Sequence, residues 1–162
     1  MRPTLFSLIF GLLLMTYFNS PLGASELNPD NVHSHSDDTP FALQQYQWRN
    51  RVLVVSAPSP DDSNLLEQLA ELASTSDEFA DRDMVLVTLL DNADAKAGDR
   101  KLTRAEVAAT RTTLGIRPGS FALQLIGKDG SVKLTAKSAT SMNEIYALID
   151  SMPMRQREIS KG

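Results

Sequence analysis

The chain has few of the side chains that most often carry out chemistry in proteins. It contains no cysteine and only two histidines among its 162 residues. Thiol–disulfide exchange begins when a thiolate attacks a disulfide sulfur, and a chain without cysteine cannot supply that thiolate. The sequence therefore excludes a thiol–disulfide oxidoreductase and any metal site with thiolate ligands.

Both histidines, His33 and His35, lie just before two aspartates, Asp37 and Asp38. Imidazole and carboxylate groups at this spacing suit zinc or copper. A metal site also needs rigid neighbours that orient its ligands, and residues 25–40 are polar, contain two prolines and show no apolar period. We therefore interpret residues 25–40 as a polar linker and expect no metal ion and no other cofactor. A Ser-His-Asp hydrolase is disfavoured because its histidine would come from this linker.

The segment 58–62, Pro-Ser-Pro-Asp-Asp, has the best position for a functional site. It follows a predicted buried strand over residues 52–57 and precedes a predicted helix, and α/β folds bind ligands at the carboxyl ends of their parallel strands. The alternative is a rigid turn in which an Asp or Ser side chain caps the helix. The candidate binding residues in this segment are Pro58, Ser59, Asp61 and Asp62.

Arginines and aromatic residues near the two ends of the predicted domain are further candidates. Arg155 can hold an anion or an acidic partner through two parallel hydrogen bonds. Alternatively, Arg155 and Arg157 follow the last predicted helix, whose dipole favours cations at its carboxyl end. Tyr46 and Trp48 precede the first strand, and their position favours aromatics that cover a sheet edge over a recognition pair.

Two classes of function fit these residues. A binding module would use the segment 58–62, a turn at Pro118 and Arg155 to hold an envelope or extracellular protein or a small ligand. A non-thiol enzyme would use Asp61 or Asp62 as its general base, with Arg82 or Arg155 as the stabiliser of charge. Two carboxylates without a positioned partner are weak evidence for catalysis. We therefore expect a non-redox binding module, with the enzyme as the alternative.

The first 24 residues have the pattern of a secretory signal, with Arg2 before an apolar block and Ala24 as a small residue for cleavage. We expect cleavage after Ala24 and a periplasmic or secreted protein. The apolar block, residues 5–18, is shorter than the roughly 20 residues that span a bilayer. No membrane span should remain after cleavage, and a retained anchor is the alternative.

The charges also limit the class of partner. The chain has 16 basic and 20 acidic residues, a net charge of −4, and both signs are mixed along it. This balance does not indicate nucleic acid as a partner.

The elements that would position these residues alternate between strands and helices, which is typical of an α/β fold. The buried strands 52–57 and 84–90 are joined through a helix that starts near Asn64, so we expect a right-handed parallel crossover. Thr103 and Glu106 form the capping box of a second helix, which should end at Gly115. The strands 121–126 and 131–135 flank an Asp-Gly turn and should pair antiparallel. A last helix should open with a capping box at Ser141 and end at Pro153.

This order of elements resembles thioredoxin, and residues 115–118, Gly-Ile-Arg-Pro, resemble the segment that leads into its hairpin. The resemblance implies a thioredoxin-like fold, a central mixed sheet of about four strands flanked by helices. It also implies that Pro118 can face the segment 58–62, which stands where thioredoxins carry Cys-x-x-Cys.

A closer resemblance is to the domain of unknown function family 4174, which is found in exported bacterial proteins and in some animal extracellular-matrix proteins. It rests on several short motifs, which are Tyr46-x-Trp48-Arg49-Asn50-Arg51-Val52-Leu53, Ala57-Pro58-Ser59, Arg82-Asp83, Leu125-Ile126-Gly127-Lys128-Asp129-Gly130 and Met152-Pro153-Met154-Arg155-Gln156. The family brings no established catalytic residues. Residues 41–157 are therefore predicted to form the thioredoxin-like domain, followed by a tail over residues 158–162.

Overall fold

Two strands form the centre of a six-stranded sheet in a computed structural model that describes residues 41–161. Strand β1, Arg51–Ala57, and strand β2, Met84–Leu90, pair in parallel along their full length. All seven residues of β1 are buried. A β-branched run of this kind suits a strand that is covered on both faces, as the sequence predicted.

The connection from β1 to β2 contains two helices, α1, Ser63–Ala73, and α2, Ser76–Asp81. The side chain of Asp62 accepts hydrogen bonds from the amides of Asn64 and Leu65, each at 3.1 Å. Asp62 is therefore the cap of α1, and the side-chain oxygen of Asn64 accepts a hydrogen bond from the amide of Ala139.

The segment between β2 and the next helix contains two strands of two residues each, β3, Lys96–Ala97, and β4, Arg100–Lys101. They form a small antiparallel hairpin beside β2, with Gly98 at a positive φ of 56° in its turn. The sheet therefore has six strands in the order β4-β3-β2-β1-β5-β6, rather than about four. The four longer strands are those that the sequence predicted.

The second half of the sheet follows helix α3, Arg104–Leu114, which has the predicted capping box of Thr103 and Glu106 and ends at Gly115. Strand β5, Ala122–Ile126, pairs antiparallel with β1, and strand β6, Val132–Ala136, pairs antiparallel with β5. The mixed α/β architecture with helices flanking the sheet is therefore confirmed.

Two short helices complete the described part of the chain. Helix α4, Met142–Asp150, begins after Ser141, whose hydroxyl accepts a hydrogen bond from an amide of the first turn. Pro153 then opens helix α5, Pro153–Ile159, at the first helical position, where proline is well tolerated. Arg155 and Arg157 lie within α5, so the prediction that they follow the last helix was wrong.

Apolar side chains cover both faces of the sheet. On one face, Leu53 and Val55 of β1 pack with helices α1 and α4, and on the other face Val52 and Val54 pack with helix α3. Because successive side chains of a strand point to opposite faces, β1 contributes to both clusters. None of the helices in residues 41–161 is long and apolar enough to cross a membrane.

Candidate functional site

The candidate residues lie at two different ends of the sheet. Pro58 to Asp62 follow β1, and Gly119, next to Pro118, donates its amide to Asp91, which follows β2. Arg155 hydrogen-bonds to Asp81, which precedes β2. A seven-residue strand spans about 23 Å, so these are opposite ends of the sheet. The structure brings Pro118 and the segment 58–62 to the same end, and it does not bring Arg155 to them.

The segment 58–62 forms the helix-capping turn that was the alternative to a binding site. The carboxylate of Asp62 is engaged by two amides of α1, and its own amide donates to the carbonyl of Ser59 at 3.3 Å. Pro58 and Ser59 are half-buried, whereas Asp61 is exposed. No peptide bond in residues 41–161 is cis, so the bond before Pro118 is trans.

An open groove of about 1370 Å³ lies between the loop after β2 and helix α3, and none of residues 58–62 lines it. We call it the α3 groove. One wall is the loop 91–95, the other is α3 with the turn 115–119, and Pro118 is the only sequence-predicted site residue that lines it. Apolar side chains of the lining include Leu90, Ala95, Leu102, Val107 and Ile116.

Arg111 connects the groove to the carboxyl ends of both central strands. Its Nη1 lies 2.5 Å from Oδ1 of Asp91, and its Nη2 donates to the carbonyl of Leu89 at 2.9 Å and to Oγ of Ser56 at 3.2 Å. The side chain is 10 % exposed, and its buried Nε has no hydrogen-bond partner among the described residues. A buried guanidinium with one unused donor thus borders the groove.

The unpaired charge of the α3 groove is positive. Its two carboxylates are engaged, Asp91 by Arg111 and Asp94 by Lys101 at 2.7 Å, and the hydrogen bond from Lys101 lowers the pKa of Asp94. Arg104 and Arg117 are exposed and form no ion pair within residues 41–161. The arrangement can therefore hold an anionic group next to an apolar surface.

At the opposite end of the sheet, arginines and carboxylates form a network that joins helices. Arg155 is 8 % exposed and contacts Asp81 of α2 and Asp150 of α4, and Arg82 also pairs with Asp150 at 2.7 Å. Burial alone would raise the pKa of Asp150, but the hydrogen bonds and charges of Arg82 and Arg155 have a larger effect in the opposite direction. The pKa of Asp150 is therefore lower than its usual value. Both proposed charge stabilisers are engaged here, away from Asp61 and Asp62.

The two aromatics before β1 have different environments. Tyr46 is half-buried, with its ring 6.2 Å from that of Phe41, and it packs against the cluster of Val52 and Val54 on a face of the sheet rather than at an edge. Trp48 is 65 % exposed, and the prediction of an aromatic that covers a sheet edge was wrong for it. Sequence spacing did not distinguish them because both belong to one short motif.

Trp48 also has an unusual backbone. Gln47 has φ −57° and ψ 136°, Trp48 has φ 65°, and the amide of Arg49 donates to the carbonyl of Tyr46 at 3.0 Å. This is a type II turn, in which the third position requires positive φ and favours glycine. A bulky residue there costs roughly 1–3 kcal/mol.

A second, smaller cavity of about 330 Å³ lies between Trp48 and helix α5, lined also by Met154, Arg157, Glu158 and Lys161. We call it the Trp48 pocket. It is at the amino end of β1, whereas the α3 groove is at the carboxyl end of the same strand. No sequence pattern indicated that α5 approaches Trp48.

The family described as Domain of unknown function (DUF4174) matches residues 42–158. The chain belongs to this family. It is 31 % identical over 151 residues to coiled-coil domain-containing protein 80 of Danio rerio, a match that covers 81 % of this chain and 17 % of that protein. It is 25 % identical over 122 residues to Sushi repeat-containing protein SRPX2 of Xenopus laevis, covering 74 % of this chain and 27 % of that protein. The chain thus spans about a sixth of the length of the first relative and about a quarter of the second.

Solved structures similar to this member of the DUF4174 family have thioredoxin-like folds. The reduced 2-Cys peroxiredoxin of Plasmodium vivax superposes with a TM-score of 0.54 at 15 % identity, covering 71 % of this chain and 72 % of that one. Thioredoxin peroxidase I of Plasmodium yoelii gives a TM-score of 0.52 at 16 % identity, covering 72 % and 80 %. The similarity shows the fold, and the absence of cysteine removes the sulfur nucleophile from this chain.

Proposed function

We propose that this domain is a non-redox binding module of the periplasm or the extracellular space, and that its ligand site is the α3 groove. The observation that carries the proposal is the charge of the groove, because both carboxylates there are engaged while Arg104 and Arg117 are not. The groove also lies at the carboxyl ends of the parallel strands, where α/β folds commonly bind ligands.

The lining favours one chemical class of ligand, a carboxylate attached to an apolar body. The half-buried Leu90 and Leu102 offer apolar surface, and the arginines can hold a carboxylate through charge-assisted hydrogen bonds. Such a group belongs either to a free organic acid or to the carboxyl terminus of a protein. The longer relatives support a modular role, since the matched domain is a minor part of each of them.

The enzyme alternative gains no support from this geometry. It needs Asp61 or Asp62 close to Arg82 or Arg155, but Asp62 caps α1 while both arginines bind carboxylates at the other end of the sheet. A general base must lie within hydrogen-bond distance of the proton that it removes, and the group that stabilises the developing charge must lie in the same site.

The test uses nuclear magnetic resonance titrations of the purified protein with three probes. These are decanoate, an acetylated leucine dipeptide with a free carboxyl terminus, and the same dipeptide as its amide. Decanoate and the dipeptide with a free carboxyl terminus should shift the backbone amide signals of Arg104 and Gly119. The amidated dipeptide should leave these signals unchanged. Decanoate and the free dipeptide distinguish the two sources of the carboxylate.

Two charge variants provide the control. Arg104→Gln with Arg117→Gln should weaken binding about tenfold or more, because it removes two charge-assisted contacts. Arg157→Gln with Lys161→Gln removes the same amount of charge outside the α3 groove and should leave binding of the carboxylate probes unchanged. Equal shifts with the amide probe, or equal loss in both variants, would contradict the proposal.

A further inference from the structure

Trp48 occupies a backbone position that favours glycine and leaves most of its ring exposed. It is the third residue of the type II turn, with φ 65°, and its amide donates to the carbonyl of Lys128 at 2.6 Å. It is the most exposed large hydrophobic side chain of the described residues. Burial within the domain therefore does not compensate for the strain of this turn, and strained residues that persist are often functional.

The surroundings of Trp48 are cationic. Among the residues that line the Trp48 pocket, Glu158 is engaged by Arg51 at 3.1 Å and by Lys128 at 2.8 Å. Arg157 and Lys161 pair with no carboxylate in the part of the chain that the structure describes. Among residues 41–161, the side chain of Arg157 donates only to the carbonyl of Pro153, in its own helix.

The unpaired positive charge of the pocket is opposite in sign to the net charge of the protein, which is −4. An acidic segment would therefore be attracted by this local pair of cations and not by the overall charge of the molecule. Tryptophan, methionine and arginine all line this pocket, and these three residue types are enriched at protein interfaces.

We propose that the Trp48 pocket binds an acidic segment of a protein partner. An apolar side chain of that segment packs on the indole of Trp48 and on Met154, and its neighbouring carboxylates bind Arg157 and Lys161. The site is independent of the α3 groove, which lies at the other end of the sheet. The strain at Trp48 is retained because the exposed indole is needed for this contact.

Fluorescence provides a direct test because Trp48 is the only tryptophan of the chain. The full protein is titrated with a short peptide in which leucines alternate with glutamates, and with a control peptide that has lysines in place of the glutamates. The acidic peptide should shift the tryptophan emission to shorter wavelength and protect it from iodide quenching. The basic peptide should do neither, and equal effects of both would overturn the proposal.

The charge variants give the second arm. Arg157→Gln with Lys161→Gln should weaken binding of the acidic peptide about tenfold or more, since two charge-assisted contacts are lost. The groove variant, Arg104→Gln with Arg117→Gln, should keep the wild-type affinity in the tryptophan emission titration, because Trp48 is the only tryptophan and reports on its own pocket. Equal weakening by both variants, or an equally large emission shift with anionic lipid vesicles, would overturn a specific protein site.

Trp48→Gly separates a functional indole from a structural one. Glycine relieves the turn, so the variant should melt at a higher temperature than the wild type while losing affinity for a dye-labelled acidic peptide, measured by anisotropy. A lower melting temperature together with unchanged anisotropy would assign Trp48 a structural role and overturn the proposal. Binding of the peptide by the α3 groove alone would also overturn the proposal.

Discussion

Asp91 and Arg111 form an ion pair, with 2.5 Å between Oδ1 and Nη1, that joins the end of β2 to helix α3. The second oxygen of the same carboxylate accepts the amide of Gly119 at 2.7 Å. Asp91, which belongs to one wall of the α3 groove, therefore contacts the opposite wall at two points. The two side chains are 19 % and 10 % exposed, so the pair is largely shielded from water.

Asp91→Asn should lower the free energy of unfolding by about 2–3 kcal/mol, because it leaves the guanidinium of Arg111 buried without its counter-charge. Urea denaturation measures the loss. Asp94→Asn is the matched control, since it removes a carboxylate of the same loop whose partner Lys101 is exposed, and it should change stability little. Equal effects of the two substitutions would show that the buried pair has no special role.

Glu106 should make stability depend on acid pH. Its carboxylate accepts the amide of Phe41 at 2.6 Å and that of Thr103 at 2.8 Å, and these bonds lower its pKa from 4.5 to about 2 despite burial. Because the pKa is lower in the folded state, the contribution is complete above pH 4.5 and is lost as pH falls toward 2.

The measurement is a set of urea midpoints across that pH window for the wild type and for Glu106→Gln. The variant should be less stable by about 1–3 kcal/mol near neutral pH, since a charge-assisted acceptor is lost, and its midpoint should fall less on acidification. Parallel slopes for the two proteins would show that another carboxylate is responsible.

Asp62 should contribute to stability as a helix cap. Asp62→Ala removes the acceptor of the amides of Asn64 and Leu65 and should cost about 1 kcal/mol, measured by thermal unfolding. Asp62→Ser should restore most of this loss because serine also caps helices. Asp61→Ala is the control and should leave the melting temperature unchanged. A loss as large for Asp61 as for Asp62 would contradict the assignment.

The sequence predicted the elements whose signal is local. The buried run of β1, the capping box at Thr103 and the turn before β6 each depend on a few neighbouring residues. The two-residue strands β3 and β4 are too short to show a period. Pro153 was predicted to end a helix, yet it opens α5, because proline suits the first turn of a helix as well as the position after one.

The candidate sites depend on contacts that no local pattern contains. Asp91 and Arg111 belong to a loop and to a helix face, and each is indistinguishable in sequence from a solvated charge. Arg155 was selected as an anion binder for its type and position, whereas folding places it beside Asp81 and Asp150. Only Pro118 was both selected from the sequence and found to line the α3 groove.

Residues 1–24 lie outside the described part of the structure, and their role remains a prediction. A fusion of these residues to a reporter protein should be exported and cleaved after Ala24, since the charge, the apolar block and the small terminal residue all fit a secretory signal. Mass spectrometry of the recovered protein gives its amino terminus. Recovery of the intact amino terminus from the envelope would instead indicate a retained anchor.

The protein should neither reduce nor oxidise model disulfides, although it has a fold that many thiol enzymes share. Exchange requires a thiolate and passes through a mixed disulfide, and the only sulfur atoms of this chain are the thioethers of its six methionines. The assay uses protein from a strain without endogenous thioredoxins, with mass spectrometry to detect any bound thiol. Reductants and alkylating agents should also leave ligand binding intact. Turnover above the buffer control, without a bound thiol, would contradict the non-redox assignment, because no residue of this chain can form the mixed disulfide.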